Sequence, residues 1–233
     1  MKTGILIIGS LLWDESREAW RGARLDMNSA EAVTAPIRYG RRSQTRGNTY
    51  TMVFSKSSDL GRAVAIHCLH SVTSVDELTL EAEHLWAAEQ NTDLTREISA
   101  GWGCVTLLRN PERDIPQAIL TGWAHRISHE RNYGNVPQLA GEGRLVSVDG
   151  LLQIPWPQRA ADNEAVPLDL LLATATRPTL TGMPLSYPTV QRIADAWNCD
   201  CENNVQYFWR NNDHGIRTFQ DSEIGALLHA RRF

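Results

Sequence analysis

Few residues in this chain have types and spacing that suit chemistry, and the most suggestive is a glycine break after an apolar run. Gly4 to Ile8 is short, β-branched and bounded by glycine, which reads as a buried strand. It ends at Gly9-Ser10 and continues as Leu11-Leu12-Trp13-Asp14. Glycine at such a corner permits a tight turn and a close approach to the main chain. Amides after the turn can converge on one point and hold an anion without a basic side chain. The second feature is Glu89, near the C-terminal end of a predicted helix, where the negative end of the helix dipole weakly disfavours the ionised form. Taken singly, each has a plainer reading: a strand-to-loop corner, and a glutamate facing solvent at a frayed end.

Basic side chains follow in Arg41, Arg42 and Arg46, whose planar forks suit a carboxylate of a substrate, although a solvated loop accounts for at least two of them. Cys104 with a histidine such as His125 is a conceivable nucleophile pair, but a thiol in an apolar strand is usually inert. His67, Cys68 and His70 suggest a metal by type. On a strand, however, His67 and Cys68 point to opposite faces, so no metal site is expected. Cys199 and Cys201 are one residue apart and lack a second pair, which leaves reduced, incidental thiols.

The elements that must position these groups can be read from patterning. Glu15 to Arg24 is loop-like or weakly helical, and 32–40 is an extended strand that Pro36 makes an edge or a bulged one. Tyr50 to Phe54 and Gly61 to Leu69 are further strands. A helix opens at Ser74, which can cap it alongside Asp76 and Glu77, and runs to about Gln90 on an apolar side of Leu78, Ala82, Leu85 and Ala88. Gly101 to Leu108 and Ala118 to Ile127 read as strands, and 132–143 as a long Gly/Asn/Pro-rich loop. Leu145 to Ile154 is a strand pair or one bent strand, and Leu168 to Ala175 is a buried helix or strand. Helices close the chain at Thr189 to Trp197 and Asp221 to Arg232.

With 233 residues, 42% hydrophobic and 21% charged, the composition is that of an ordinary folded chain. A net charge of -4 gives no general attraction to nucleic acid or to anionic membranes. No run approaches the roughly 20 apolar residues of a membrane span, and the start carries no signal-peptide pattern, so a cytoplasmic location is expected.

Three stretches, in order, resemble the glutathione-specific (ChaC-like) branch of the gamma-glutamylcyclotransferases. Ile8-Gly9-Ser10-Leu11-Leu12-Trp13 is similar to that branch's Y-G-S-L-I-W opening, with Ile8 where the family has tyrosine. Residues 37–43, followed by Thr45-Arg46-Gly47, resemble its R-G-Y-x-R-R-F and R-G-T segments. Leu85-Trp86-Ala87-Ala88-Glu89 resembles the segment that ends in the family's catalytic glutamate. The resemblance covers roughly residues 4 to 127. It implies an α+β fold, a compact mixed β-barrel with flanking helices, spanning residues 1–128; residues 129–233, which the resemblance does not reach, are expected to form a C-terminal extension packed on that core. It also implies a gamma-glutamyl substrate bound by Gly9, Ser10 and Leu11, mainly through their main chain; Leu12 beside them and Arg41 from the basic segment are expected to bind substrate as well. Glu89 would be the general acid and base, and 5-oxoproline the product, with no cofactor. A different class of reading is a binding module on the same fold: Tyr207-Phe208-Trp209-Arg210 has the composition of a contact surface, although most such aromatics are core.

Overall fold

The structure is a computed structural model and describes residues 1–130, 133, 143–198 and 205–230. Among these residues, seven strands form one mixed sheet: β1 (Thr3–Ile7), β2 (Leu25–Ser43), β3 (Thr49–Phe54), β4 (Leu60–Cys68), β5 (Ser99–Ala100), β6 (Gly103–Arg109) and β7 (Leu170–Thr176). Their order is β3-β2-β4-β1-β7-β6-β5. The central strand β1 pairs antiparallel with β4 and parallel with β7, and every residue in it is buried. A strand covered on both faces has no reason to alternate, which explains the unbroken apolar run. The same holds for β7, whose Leu170, Leu171 and Leu172 are fully buried between β1 and β6. Of the two readings left open for 168–175, strand is the observed one.

β2 serves two partners. Residues 31–36 pair with β4 and residues 37–43 with β3, so the change of partner falls at Pro36, which has no N–H for a ladder. Register shifts at Asp26/Glu31 and Tyr39/Arg41 add bends. The sheet curls far enough for Thr176 Oγ1 in β7 to reach Met52 O in β3 at 3.5 Å. Its ladder does not close: β3 and β5 remain the two ends, where a closed barrel was expected.

The helices are α1 (Glu18–Arg24), α2 (Val75–Gln90), α3 (Gln117–Ser128), α4 (Val190–Asn198), α5 (Val205–Asp213) and α6 (Asp221–Ala230). α2 begins with a full capping box: Ser74 Oγ accepts from Glu77 N, and Glu77 returns its carboxylate to the Ser74 amide. Leu78, Ala82, Leu85 and Trp86 bury its inner face, and Asn91 ends it in a left-handed conformation.

α3 corrects the expectation of a strand at 118–127. Ile119, Trp123 and Ile127 recur every four residues and form its buried stripe, a helical period inside an apolar, β-branched run. Gly122 lets α3 close on α2, since a Cβ there would lie 2.3 Å from Val75 Cγ2. Residues 145–154 form isolated bridges, Val146 to Leu152 and Leu107 to Leu151, in place of a strand pair. The expected loop at 132–143 falls, except for Tyr133 and Gly143, outside the described residues, as do Cys199 and Cys201. α5 takes up the Tyr207–Arg210 cluster: Tyr207 and Phe208 are buried, and Phe208 packs beside Trp197 and Tyr39. No helix among the described residues is long and apolar enough to cross a membrane.

Candidate active site

The end of β1, the end of α2 and the curled β3 edge enclose a cavity of about 280 Å³. Gly9, Ser10, Leu11, Arg41 and Glu89 all line it, so five of the six expected site residues are gathered from three distant stretches. Leu12 is the exception; it turns away from the cavity and packs against the core.

The Gly9-Ser10 corner forms a short 3-10 turn, Ser10–Leu12, with Leu12 N bonded to Gly9 O at 3.2 Å and Trp13 N to Ser10 O at 3.1 Å. Both bonds use amides later than Leu11, so the amides of Ser10 and Leu11 lie outside the turn's own bonding. Gly9 itself is extended, with φ of -173°, so its backbone needs no glycine. Space demands it instead: a Cβ would meet Tyr207 Oη at 2.7 Å.

Glu89 sits in the last turn of α2. Its residual exposure is toward the cavity, and protein surrounds it closely enough for burial to be the strongest influence on its carboxyl. Burial raises its pKa above the ordinary carboxylate range, against opposing pulls from Thr174, Arg17, Arg41 and Arg46. Among the described residues it forms no salt bridge, the guanidinium groups acting on it through space. Thr174 Oγ1, buried and lacking a partner of full hydrogen-bond geometry, faces the same carboxyl.

The arginines divide by how they are held. Arg46 Nη2 donates to Ser10 Oγ at 2.8 Å and lies 3.6 Å from Asp14. Arg17 Nη1 donates to Ser16 Oγ at 2.7 Å. Arg41 has neither a side-chain hydrogen bond nor an ion pair among the described residues; its guanidinium stacks 4.5 Å from the Trp102 ring, which in turn stacks on Trp86 at 4.7 Å. Desolvation depresses the Arg41 pKa, and the Glu89 charge opposes that effect. A stacked guanidinium with unused donors on a cavity wall is a ready partner for a carboxylate. Arg42 points elsewhere: it is exposed and its Nε bonds Asn48 O at 2.9 Å, but it belongs to β2, paired with Tyr50, where a solvated loop was expected. Two of the three expected basic residues therefore face the cavity, one more than the loop reading allowed.

No protein-family model, no curated protein and no solved structure matches the chain.

Several lining residues escaped sequence reasoning. Thr174 and Thr176 come from β7, Arg17 from the short turn before α1, and Tyr207 from α5. Each lies in a segment whose local pattern signals only a strand, a polar loop or a core aromatic. Cys104 is 1% exposed within β6, as suits an inert thiol.

Proposed function

We propose that this cavity is the active site of a gamma-glutamylcyclotransferase-like enzyme, on an opened version of that family's curled sheet, releasing 5-oxoproline from a gamma-glutamyl amine or peptide. The observation that carries this reading is the shared cavity: a carboxyl of raised pKa, an uncommitted guanidinium and the Ser10-Leu11 amides line one space. The substrate is its own nucleophile. Its α-amine attacks the side-chain carbonyl carbon, forming the ring C–N bond, and the bond from that carbon to the departing amine breaks. Holding the chain folded for this attack is the main task, because orientation converts flexibility into rate.

The Ser10 and Leu11 amides, with Arg46 behind Ser10, suit the α-carboxylate. Arg41 suits a second anionic group or the polarised carbonyl. Glu89 takes the proton that the α-ammonium must lose and returns it to the departing amine. A carboxyl whose pKa is raised is a better base than an ordinary one when ionised, and such positioned acid-base catalysis is typically worth about 10²–10⁴-fold.

Incubation with glutathione, gamma-glutamyl amino acids and gamma-glutamyl amines, with 5-oxoproline followed by mass, tests the reading. Turnover of at least one compound is expected, with a loss of about 10²-fold or more in kcat for Glu89→Gln. Full activity in that variant would remove Glu89 from the chemistry. Ligand binding without product across the panel would favour the binding-module reading.

A further inference from the structure

Tyr207 enters the cavity from α5, beyond the stretch that carries the family resemblance. The residue is 5% exposed. The hydroxyl lies 2.7 Å from the place a Cβ on Gly9 would take. It accepts a hydrogen bond from Met52 N at 3.4 Å. Asn211, one helical turn further along α5 and fully buried, faces the same oxygen with its amide nitrogen, which finds no partner of full hydrogen-bond geometry. Trp13 Nε1 fixes that orientation by donating to Asn211 Oδ1 at 2.8 Å.

Both approaches to the phenolic oxygen are thus made by donors. A phenol has one proton to give, and no acceptor among the described residues receives it. The Arg46 guanidinium lies 4.9 Å from the ring centre and 2.8 Å from Ser10 Oγ, so a cation stands beside the phenol, while the Glu89 carboxyl on the same cavity acts on it through space. We propose that the Tyr207 hydroxyl is a binding group of this site, donating its proton to the ligand carboxylate held at the Gly9-Leu11 turn beside Arg46. Burial, the strongest influence on the phenol, raises its pKa and keeps it protonated for that role. The inference rests on reading the cavity as a carboxylate site, and it gives the C-terminal half a direct part in recognition.

Calorimetric titration of the full chain with L-5-oxoproline and L-glutamate, and with their carboxamide counterparts, tests it. Wild type is expected to bind at least one of the acids, and Tyr207→Phe to weaken that binding about tenfold or more, the usual worth of a hydrogen bond to a charged group. The carboxamides are expected to bind both proteins equally weakly, a selectivity that a purely structural role would not produce. Gly9→Ala is the second variant: its backbone tolerates alanine while the new Cβ displaces the hydroxyl, so the same loss of acid-over-amide preference is expected. Unchanged acid affinity in either folded variant, or no acid binding by wild type, would overturn the proposal. Acid binding that depends on Tyr207 without 5-oxoproline release from any compound would instead overturn the cyclotransferase reading and leave this one standing.

Discussion

Glu89 is the residue whose protonation ties stability to pH. Burial raises its folded pKa above the value of about 4.3 of a glutamate in an unfolded chain. The folded state therefore keeps this proton to higher pH than the unfolded state does. Between the unfolded and the raised folded pKa, the contribution of Glu89 to stability falls as pH rises, and above the folded pKa the penalty is constant. Glu89→Gln abolishes that slope. Melting curves of the two proteins are expected to coincide near pH 4 and to separate toward neutrality, with the glutamine variant the more stable. A gap of the same size at every pH would contradict the burial of this carboxyl. The patterning of the helix placed Glu89 near its end, but only the family resemblance singled it out, since the helix pattern alone favoured a glutamate facing solvent. Tyr207 was not legible, because a buried tyrosine on a short helix looks the same whether its hydroxyl meets water, a backbone or a cavity.

At the scale of elements, α2 is the arm that carries Glu89 inward, and its start is set by side chains. Ser74 and Glu77 satisfy three amides between them, counting the Thr73 amide bonded to Glu77 Oε2 at 2.6 Å. Ser74→Ala is expected to lower stability by about 0.5–2 kcal/mol, measured by urea unfolding, with turnover intact below the transition. A variant as stable as wild type would show that packing on Leu78 and Trp86 alone holds this end. Such capping signals are local, which is why α2 could be placed from its sequence. α3 has Pro116 at its start and no capping side chain, and its apolar residues include β-branched isoleucines, so strand and helix competed there. The four-residue recurrence of Ile119, Trp123 and Ile127 is the helical signal in the sequence, and the close approach of Gly122 to Val75, which no window of sequence contains, is what seats the helix on α2.

For the whole molecule, a division at residue 128 cuts through the sheet. β7 lies between β1 and β6, and Asp169 N bonds Lys2 O at 2.8 Å at its start. Residues 1–128 alone would keep two strand groups with bare facing edges and lose the fully buried Leu170–Leu172 run. This fragment is expected to show no cooperative unfolding by circular dichroism, whereas the full chain unfolds in one transition. A folded, cooperative 1–128 fragment would establish an independent core. The cavity depends on the same long-range assembly, since its wall combines residues from the first strand, the long helix, β7 and α5.

The amino-acid sequence by itself determined the α+β character, the first strand with its glycine corner, and the capped helix that carries Glu89 in its last turn. These rest on periodicity, capping and turn chemistry, which act over a few residues. Only the tertiary structure decided which strands flank β1, how far the sheet curls, and that Tyr207, Thr174 and Arg17 join the cavity. Those outcomes depend on pairing segments far apart in the chain, such as Thr3 with Leu170 or Met52 with Tyr207, and local propensity does not encode such pairings.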